Sequence, residues 1–220
     1  VYVASPIVAH HEQALKAIDA GRHVLVEKTM AGSAKQVGEI QAAALAAGVV
    51  AMEAVRNLYT PAYAVIQAGL GRIGTVRQAS LIKEQYSSRY DAFKAGRVLN
   101  AFDPKLDNSA IADIGVYPLQ PALDLFGLGP TAARGSSVLL DNGFEAAGSL
   151  TLGYPDKVAE VSWSKITSGV TPSVILGEDG ALVIDDIAET SRVTLHPRGG
   201  EPEVLLDQVV LQVRIDLQVP

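Results

Sequence analysis

The sequence predicts two architectures in series: an α/β segment of parallel βαβ units, then an α+β segment with a mostly antiparallel open sheet and helices on one face. Three observations predict this. Over about the first sixty positions, short β-rich runs alternate with amphipathic stretches of helical period. Beyond Pro61, apolar runs recur at hairpin intervals with turn signals between them. The pattern changes at Asn57–Pro61, which divides the chain into residues 1–58 and 59–220.

Val1-Tyr2-Val3-Ala4-Ser5 is the first β-rich run, and Pro6 opens a helix with Ala14, Leu15 and Ile18 on one face and Gly21 after its end. His23–Glu27 is a buried strand. Ser33 is placed as the N-cap of a helix through Val37, Ile40 and Leu45, and Gly48 terminates it. Val49–Met52 is the third strand. Strands and helices alternating at this spacing pair in parallel, and functional groups in such sheets gather at the carboxyl ends of the strands. Ser5, Lys28 and Glu53 fall there.

In the second half, a helix over Ala62–Leu70 leads through Gly71 and Gly74 to a strand from Val76 to about Tyr86. A polar stretch bearing Ser and Arg follows, as far as Asp107. After the segment around Asp113, strand-like runs fall near Ser136–Leu140, Ala146–Tyr154, Lys157–Lys165, Ser173–Gly177 and Ala181–Asp185. Asp141-Asn142-Gly143, Tyr154-Pro155-Asp156 and Glu178-Asp179-Gly180 are the turns between them. Leu205–Pro220 alternates apolar and polar residues without cap or turn signals and receives no assignment.

Composition narrows the function classes. Eighteen basic and 24 acidic residues give a net charge of −6 without charge blocks, which argues against nucleic acid or an anionic membrane as partner. With no cysteine, the chain suits a reducing, cytoplasmic setting. The longest uncharged apolar stretch, Ala42–Met52, is too short to span a bilayer, and Val1-Tyr2-Val3-Ala4 has no secretory pattern. His10, His11, His23 and His196 lack ligand spacing, so no metal site is expected.

The chemistry is signalled by a strand that ends in two charges, Val24-Leu25-Val26-Glu27-Lys28, and by Asp113-Ile114-Gly115-Val116-Tyr117. A lysine and a phenol brought together can run proton transfer. Each residue also has a plainer reading. Lys28 can be a turn residue paired with Glu27, Tyr117 a core aromatic, and Asp113 a helix cap. On a helix, Asp113 and Tyr117 share one face. Pro118 and Pro121 free the carbonyls of Ile114 and Tyr117, so a kinked or late-starting helix is expected. Glu53 and Arg56 end the third strand, where they either line the cleft or form a solvated ion pair.

Ser5-Pro6-Ile7-Val8-Ala9-His10, Glu27-Lys28-Thr29 and Asn108-Ser109-Ala110-Ile111-Ala112-Asp113-Ile114-Gly115-Val116-Tyr117 resemble motifs of the Gfo/Idh/MocA family, the glucose-fructose oxidoreductase and inositol dehydrogenase group. The family motifs are Ser/Thr-Pro-x-x-x-His, Glu-Lys-Pro and Gly-Gly-x-x-x-Asp-x-Gly-x-His/Tyr. The resemblance runs to about Gly200. Thr29 departs from the usual proline, and Asn108-Ser109 from Gly-Gly, asparagine being tolerant of positive φ. The Gly-x-Gly-x-x-Gly unit and the acidic residue after it are missing, on the order of 60 residues at ~30 per βαβ unit. The family's C-terminal helix and returning segment are missing too. The expectation is a fragment of a longer gene product, or a naturally truncated relative.

The resemblance implies part of a Rossmann domain followed by a substrate-binding sheet domain, NAD or NADP as cofactor, and a small polyol or sugar-like substrate. Reducing a carbonyl with a nicotinamide hydride builds negative charge on oxygen, which must be protonated as it forms. Tyrosine, with an ordinary pKa of ~10, becomes competent beside an ammonium. Lys28 and Tyr117 are therefore the catalytic pair, with Asp113 orienting the substrate or holding Lys28. Ser5, Pro6, His10, Glu27 and Lys28 are assigned to the cofactor, although His10 serves equally well as a helix cap. Tyr86 and Arg89, within Gln85–Tyr90, are assigned to a substrate wall. Homo-oligomers through the sheet domain are also implied, with Trp163 in that interface or in the core. The rival reading is a non-catalytic relative or an inactive truncated scaffold, which the missing phosphate loop favours and Lys28, Asp113 and Tyr117 oppose.

Overall fold

The computed structural model describes residues 1–208; residues 209–220, most of the unassigned terminal stretch, lie outside the described residues. The first half contains strands β1 (Tyr2–Val3), β2 (Val24–Glu27) and β3 (Ala51–Ala54), with helices α1 (Ile7–Asp19) and α2 (Ala34–Ala47) between them. The strands pair in parallel in the order β1-β2-β3, with Tyr2 opposite Leu25 and Val26 opposite Glu53. The local signals explain the limits of α2. Ser33 Oγ accepts the Gln36 amide at 3.3 Å, and Gly48 closes the helix in the left-handed region at φ 65°. Alternation along β2 buries Val24 and Val26, which pack with Val3, Ile18 and Ile40 under the two helices. Tyr2, Leu25 and Met52 line the opposite face and are exposed.

The second half is an eight-stranded sheet with α3 (Pro61–Leu70) and α5 (Val116–Phe126) against one face. Its strands are β4 (Val76–Glu84), β5 (Ala132–Leu139), β6 (Glu145–Gly153), β7 (Val158–Ser164), β8 (Ser173–Gly177), β9 (Gly180–Ile184), β10 (Arg192–Pro197) and β11 (Glu203–Asp207), in the order β11-β10-β9-β8-β4-β7-β6-β5. Residues facing the helices are apolar. Leu81, Val161, Ile175 and Leu182 pack with Ile66 and Ala122. Trp163 joins them at 5% exposed, which settles its two expected positions in favour of the core.

This is the predicted class, with differences in detail. Every neighbouring pair in the large sheet is antiparallel except β4 and β7, which run parallel at the centre. Strands β10 and β11 were not anticipated, and β4 ends at Glu84 rather than near Tyr86. The polar stretch after β4 holds a short helix, α4 (Tyr90–Lys94), and two 3₁₀ turns, Asn100–Phe102 and Pro104–Leu106.

The expected kink before α5 is a π-helical turn, Ile111–Gly115. It lies against β7, and a Cβ on Gly115 would stand 3.0 Å from the Trp163 ring and 3.1 Å from Ile111. Gly115→Ala is expected to destabilise the protein by ~1–3 kcal/mol, the usual cost of overpacking a filled core. A lower urea midpoint with an unchanged slope would register this. An unmoved midpoint would mean that the ring gives way freely.

Candidate active site

Strand β2 delivers Glu27, Lys28 and Thr29 to the carboxyl edge of the parallel sheet, and the Lys28–Thr29 peptide is cis. Buried His10 ties this turn to the one before α1, with Nδ1 2.9 Å from the Thr29 carbonyl and Nε2 2.7 Å from the Ser5 carbonyl. A neutral imidazole has one N–H, so one of these contacts carries the donated hydrogen bond. Glu27 accepts the Lys28 amide at 3.2 Å and the Tyr2 hydroxyl. Ser5 Oγ donates to Gln13 at 2.9 Å.

The π-helical turn carries Asp113. Its first amide, Ile111, donates to Glu145 at 2.8 Å, and Thr29 Oγ1 donates to the Ala112 carbonyl at 2.8 Å. Pro118 has no N–H to offer the carbonyls four and five residues back, Ile114 and Asp113. The Lys28 ammonium takes up the latter, donating to the Asp113 main-chain oxygen at 2.6 Å and to its Oδ1 at 2.7 Å. A second lysine, Lys165, reaches Oδ2 of the same carboxylate at 2.7 Å. Burial alone pushes the Asp113 carboxyl up, but the Lys28 and Lys165 ammoniums outweigh it and hold its pKa below the ordinary value.

Tyr117 follows on α5. The Lys28 ammonium lies 5.3 Å from the centre of its ring, and the Arg56 guanidinium 5.9 Å. The expected approach of lysine to phenol therefore takes the form of an ammonium over a ring face, with the lysine's hydrogen bonds directed to Asp113. The Tyr117 carbonyl, left without a helical donor by Pro121, accepts from Asn57 Nδ2 at 3.1 Å. Buried Asn57 also donates to the Ile187 carbonyl at 3.1 Å and so pins the helix to the loop after β9. The ion pair considered between Glu53 and Arg56 does not form. Arg56 pairs with Glu189 at 2.5 Å, while Glu53 accepts the Met30 amide at 2.7 Å and Gln120 at 3.2 Å. Burial raises the Glu53 pKa.

Two clefts meet at the lysine. One, about 410 Å³, is lined by Ser5, Pro6, His10 and Glu27; the other, about 460 Å³, by Tyr86, Arg56, Lys83 and Tyr117. Lys28, Arg89 and Asp113 line both. The residues expected to meet cofactor thus share one cleft and those expected to meet substrate the other. Tyr86 donates its hydroxyl to Asp91 at 2.7 Å. A larger cavity of about 740 Å³, lined by Met30, Val37, Leu58 and Leu119, contains neither Lys28 nor Tyr117. Among the described residues no cluster of His, Asp and Glu could hold a metal ion, and no helix is long and apolar enough to cross a membrane.

Lys165 and Asn57 were not singled out from sequence. The signal for Lys165 was available, since it follows the apolar run of β7 just as Lys28 follows β2. Asn57 marked only the boundary between the halves.

A parallel βαβ segment of the Rossmann kind is joined to a mostly antiparallel sheet, with a lysine held by a carboxylate where two clefts meet. The chain's similarities are to the Gfo/Idh/MocA family. The family model described as "Oxidoreductase family, NAD-binding Rossmann fold" matches residues 1–55. The chain is 43% identical over 203 residues to scyllo-inositol 2-dehydrogenase (NADP(+)) IolU of Bacillus subtilis, covering 92% of this chain and 62% of that protein. It is 33% identical over 205 residues to the uncharacterized oxidoreductase YgjR of Escherichia coli, covering 93% and 62%. The chain thus spans about three fifths of the length of these relatives. An inositol dehydrogenase homolog from Azotobacter vinelandii, solved with NAD+, has the same fold at a TM-score of 0.81 and 19% identity, over 94% of this chain and 56% of that one.

Proposed function

We propose that this chain carries the catalytic centre of a nicotinamide-dependent oxidoreductase that interconverts alcohol and ketone on a sugar, cyclitol or dihydrodiol-type substrate. Residues 1–58 supply the cofactor side and residues from 59 onward the substrate side. The observation that carries this reading is the Lys28 ammonium, fixed on Asp113 and set over Tyr117 at the seam of the two clefts. The polar cleft at the ends of β1 and β2, beside the start of α1, fits a nicotinamide nucleotide, NAD or NADP. Ser5, Glu27 and the first amides of α1 would hold it, while His10, whose two ring nitrogens are taken by the Thr29 and Ser5 carbonyls, shapes the turn from beneath and does not meet the cofactor as expected. When bound, that group supplies the hydride.

The chain's own residues handle the proton. A ketone oxygen reaching Lys28 meets a donor whose position is fixed through Asp113, and Tyr117 lines the same cleft. Lys28 and Tyr117 act as a pair in protonating the alkoxide. Arg89 and Tyr86 bind the substrate hydroxyls. The Bacillus subtilis relative, named as an NADP-dependent scyllo-inositol dehydrogenase, supports a cyclitol among the substrates. Self-association through the open face of the large sheet and a reducing, cytoplasmic setting belong to the same reading.

The second reading is a non-catalytic scaffold that binds a partner or self-associates. Titration of NADH and NADPH into this chain, and into a version extended upstream, separates the two. The extended form is expected to bind. Failure of both folded forms to bind would sink the enzyme reading.

A further inference from the structure

The carboxylate that positions Lys28 is itself held from behind. Lys165 stands at the end of β7 with its side chain 4% exposed. Its ammonium donates to the Ala101 carbonyl at 2.7 Å, pairs with Asp113 Oδ2 at 2.7 Å, and lies 4.9 Å and 5.3 Å from the ring centres of Phe102 and Phe144. A lysine is seldom buried so completely unless its charge is matched, and here one carboxylate serves two ammoniums. Stability alone does not call for this arrangement. Apolar residues of similar volume commonly do as well as buried ions, so the second lysine is better explained by what it does to Asp113.

We propose that Lys165 is a positioning residue, locking the orientation of the Asp113 carboxylate so that Oδ1 holds the Lys28 ammonium at the seam between the two clefts. The proposal rests on the oxidoreductase reading for its catalytic consequence, but not for its structural one. With Oδ2 fixed by Lys165 and the Asp113 main-chain oxygen fixed in the π-helical turn, Lys28 meets two acceptors that cannot rotate away. Lys165 itself is anchored by Ala101 and by two rings, so it does not follow Lys28 when that side chain moves. A misplacement of about 1 Å at a reacting group costs up to about 10²-fold in rate, the scale on which such a lock acts.

Burial, Lys28 and Lys165 decide the ionisation of Asp113, and the other charged or titratable groups around it are few. Lys28 approaches from the end of β2, Lys165 from the end of β7 and Arg89 from the loop after β4, while Tyr117 lies on its own helix. Arg56, Lys83 and Glu189 lie further along the substrate-side cleft. Without Lys165, burial has one opposing ammonium in place of two, and the carboxyl moves up from its position below the ordinary value.

Two readouts on Lys165→Met and Lys165→Arg test this. In this 220-residue chain with ¹³C-labelled aspartate, the Asp113 carboxyl signal is identified by its loss in Asp113→Asn. It is expected to titrate below ~3.9 in the wild type, higher in Lys165→Met, and near the wild-type position in Lys165→Arg. In the upstream-extended enzyme, Lys165→Met is expected to lower kcat by ~10–10²-fold with the KM for the cofactor unchanged and the acid limb of kcat moved to higher pH. Lys165→Arg should restore most of the rate. Should Lys165→Met fail to fold, Lys165→Gln, which keeps a donor for Ala101, takes its place. An Asp113 titration identical in wild type and variant overturns the proposal, as does a shifted titration with unchanged kcat. Inactivity of the wild-type extended enzyme would instead sink the oxidoreductase reading, and the carboxyl titration would still decide for or against the lock.

Discussion

Lys28→Met is expected to reduce kcat in the upstream-extended enzyme by ~10²–10⁴-fold, the range supplied by a positioned proton donor. The fold should survive, because the change does not leave a buried carboxylate alone: Asp113 keeps Lys165 at Oδ2. The Lys28 side chain is also more open than that of Lys165, at 16% against 4%. Stopped-flow or steady-state reduction of a ketone substrate gives the rate, and a thermal scan gives the fold. A loss confined to KM would recast Lys28 as a binding residue. A rate within a few-fold of wild type would leave Tyr117 as the sole proton donor.

Asp113→Ala should have the largest effect on stability. It strips Lys165 of its carboxylate while leaving the ammonium buried against Ala101, Phe102 and Phe144, and removing one partner of a buried pair typically costs ~3–5 kcal/mol. The Ala101 carbonyl and the two ring faces pull the value toward the lower end. The double variant Asp113→Ala/Lys165→Met, in which only the more open Lys28 ammonium loses its carboxylate, should recover most of the loss in urea unfolding. The sign with pH follows from the depressed carboxyl. The folded-state pKa of Asp113 lies below its unfolded value, so its contribution is fully present above pH ~4 and fades as pH falls through the folded value. The gap between wild type and Asp113→Ala should therefore be constant near neutrality and narrow only in acid. A gap that narrows between pH 6 and 8 would place the linkage on another group.

The sequence showed most plainly whatever local rules decide. The Ser33 cap and the Gly48 terminus of α2 follow from one side-chain oxygen and one positive φ, and both could be read without tertiary information. The kink before α5 followed from Pro118 and Pro121. What local rules leave open was harder to read. Period-two alternation says which face of β4 is buried but not which strands lie beside it, so its parallel pairing with β7 left no trace in the pattern. Strands β10 and β11 are short and separated by Arg198-Gly199-Gly200-Glu201-Pro202, and their alternation is too brief to stand out. The left-handed residue stands just before the second motif, at Asp107 with φ 58°, and not at Asn108, although asparagine is the more usual choice.

The site divides in the same way. Lys28 could be recognised because the charged strand end Glu27-Lys28 occurs together with the Asp113–Tyr117 motif. Lys165 follows a strand in the same way, but its meaning depends on Asp113, which only the fold brings to it. Pro121 announces that the Tyr117 carbonyl needs a partner, and the fold identifies that partner as Asn57.

The most direct measurement is a crystal structure of the upstream-extended chain with NADPH and a cyclitol or sugar substrate. The account predicts the nicotinamide in the cleft lined by Ser5, His10 and Glu27, with the reacting oxygen of the substrate within hydrogen-bonding distance of both Lys28 Nζ and the Tyr117 hydroxyl. A substrate seated instead in the cavity between Met30, Leu58 and Leu119, away from both groups, would contradict it.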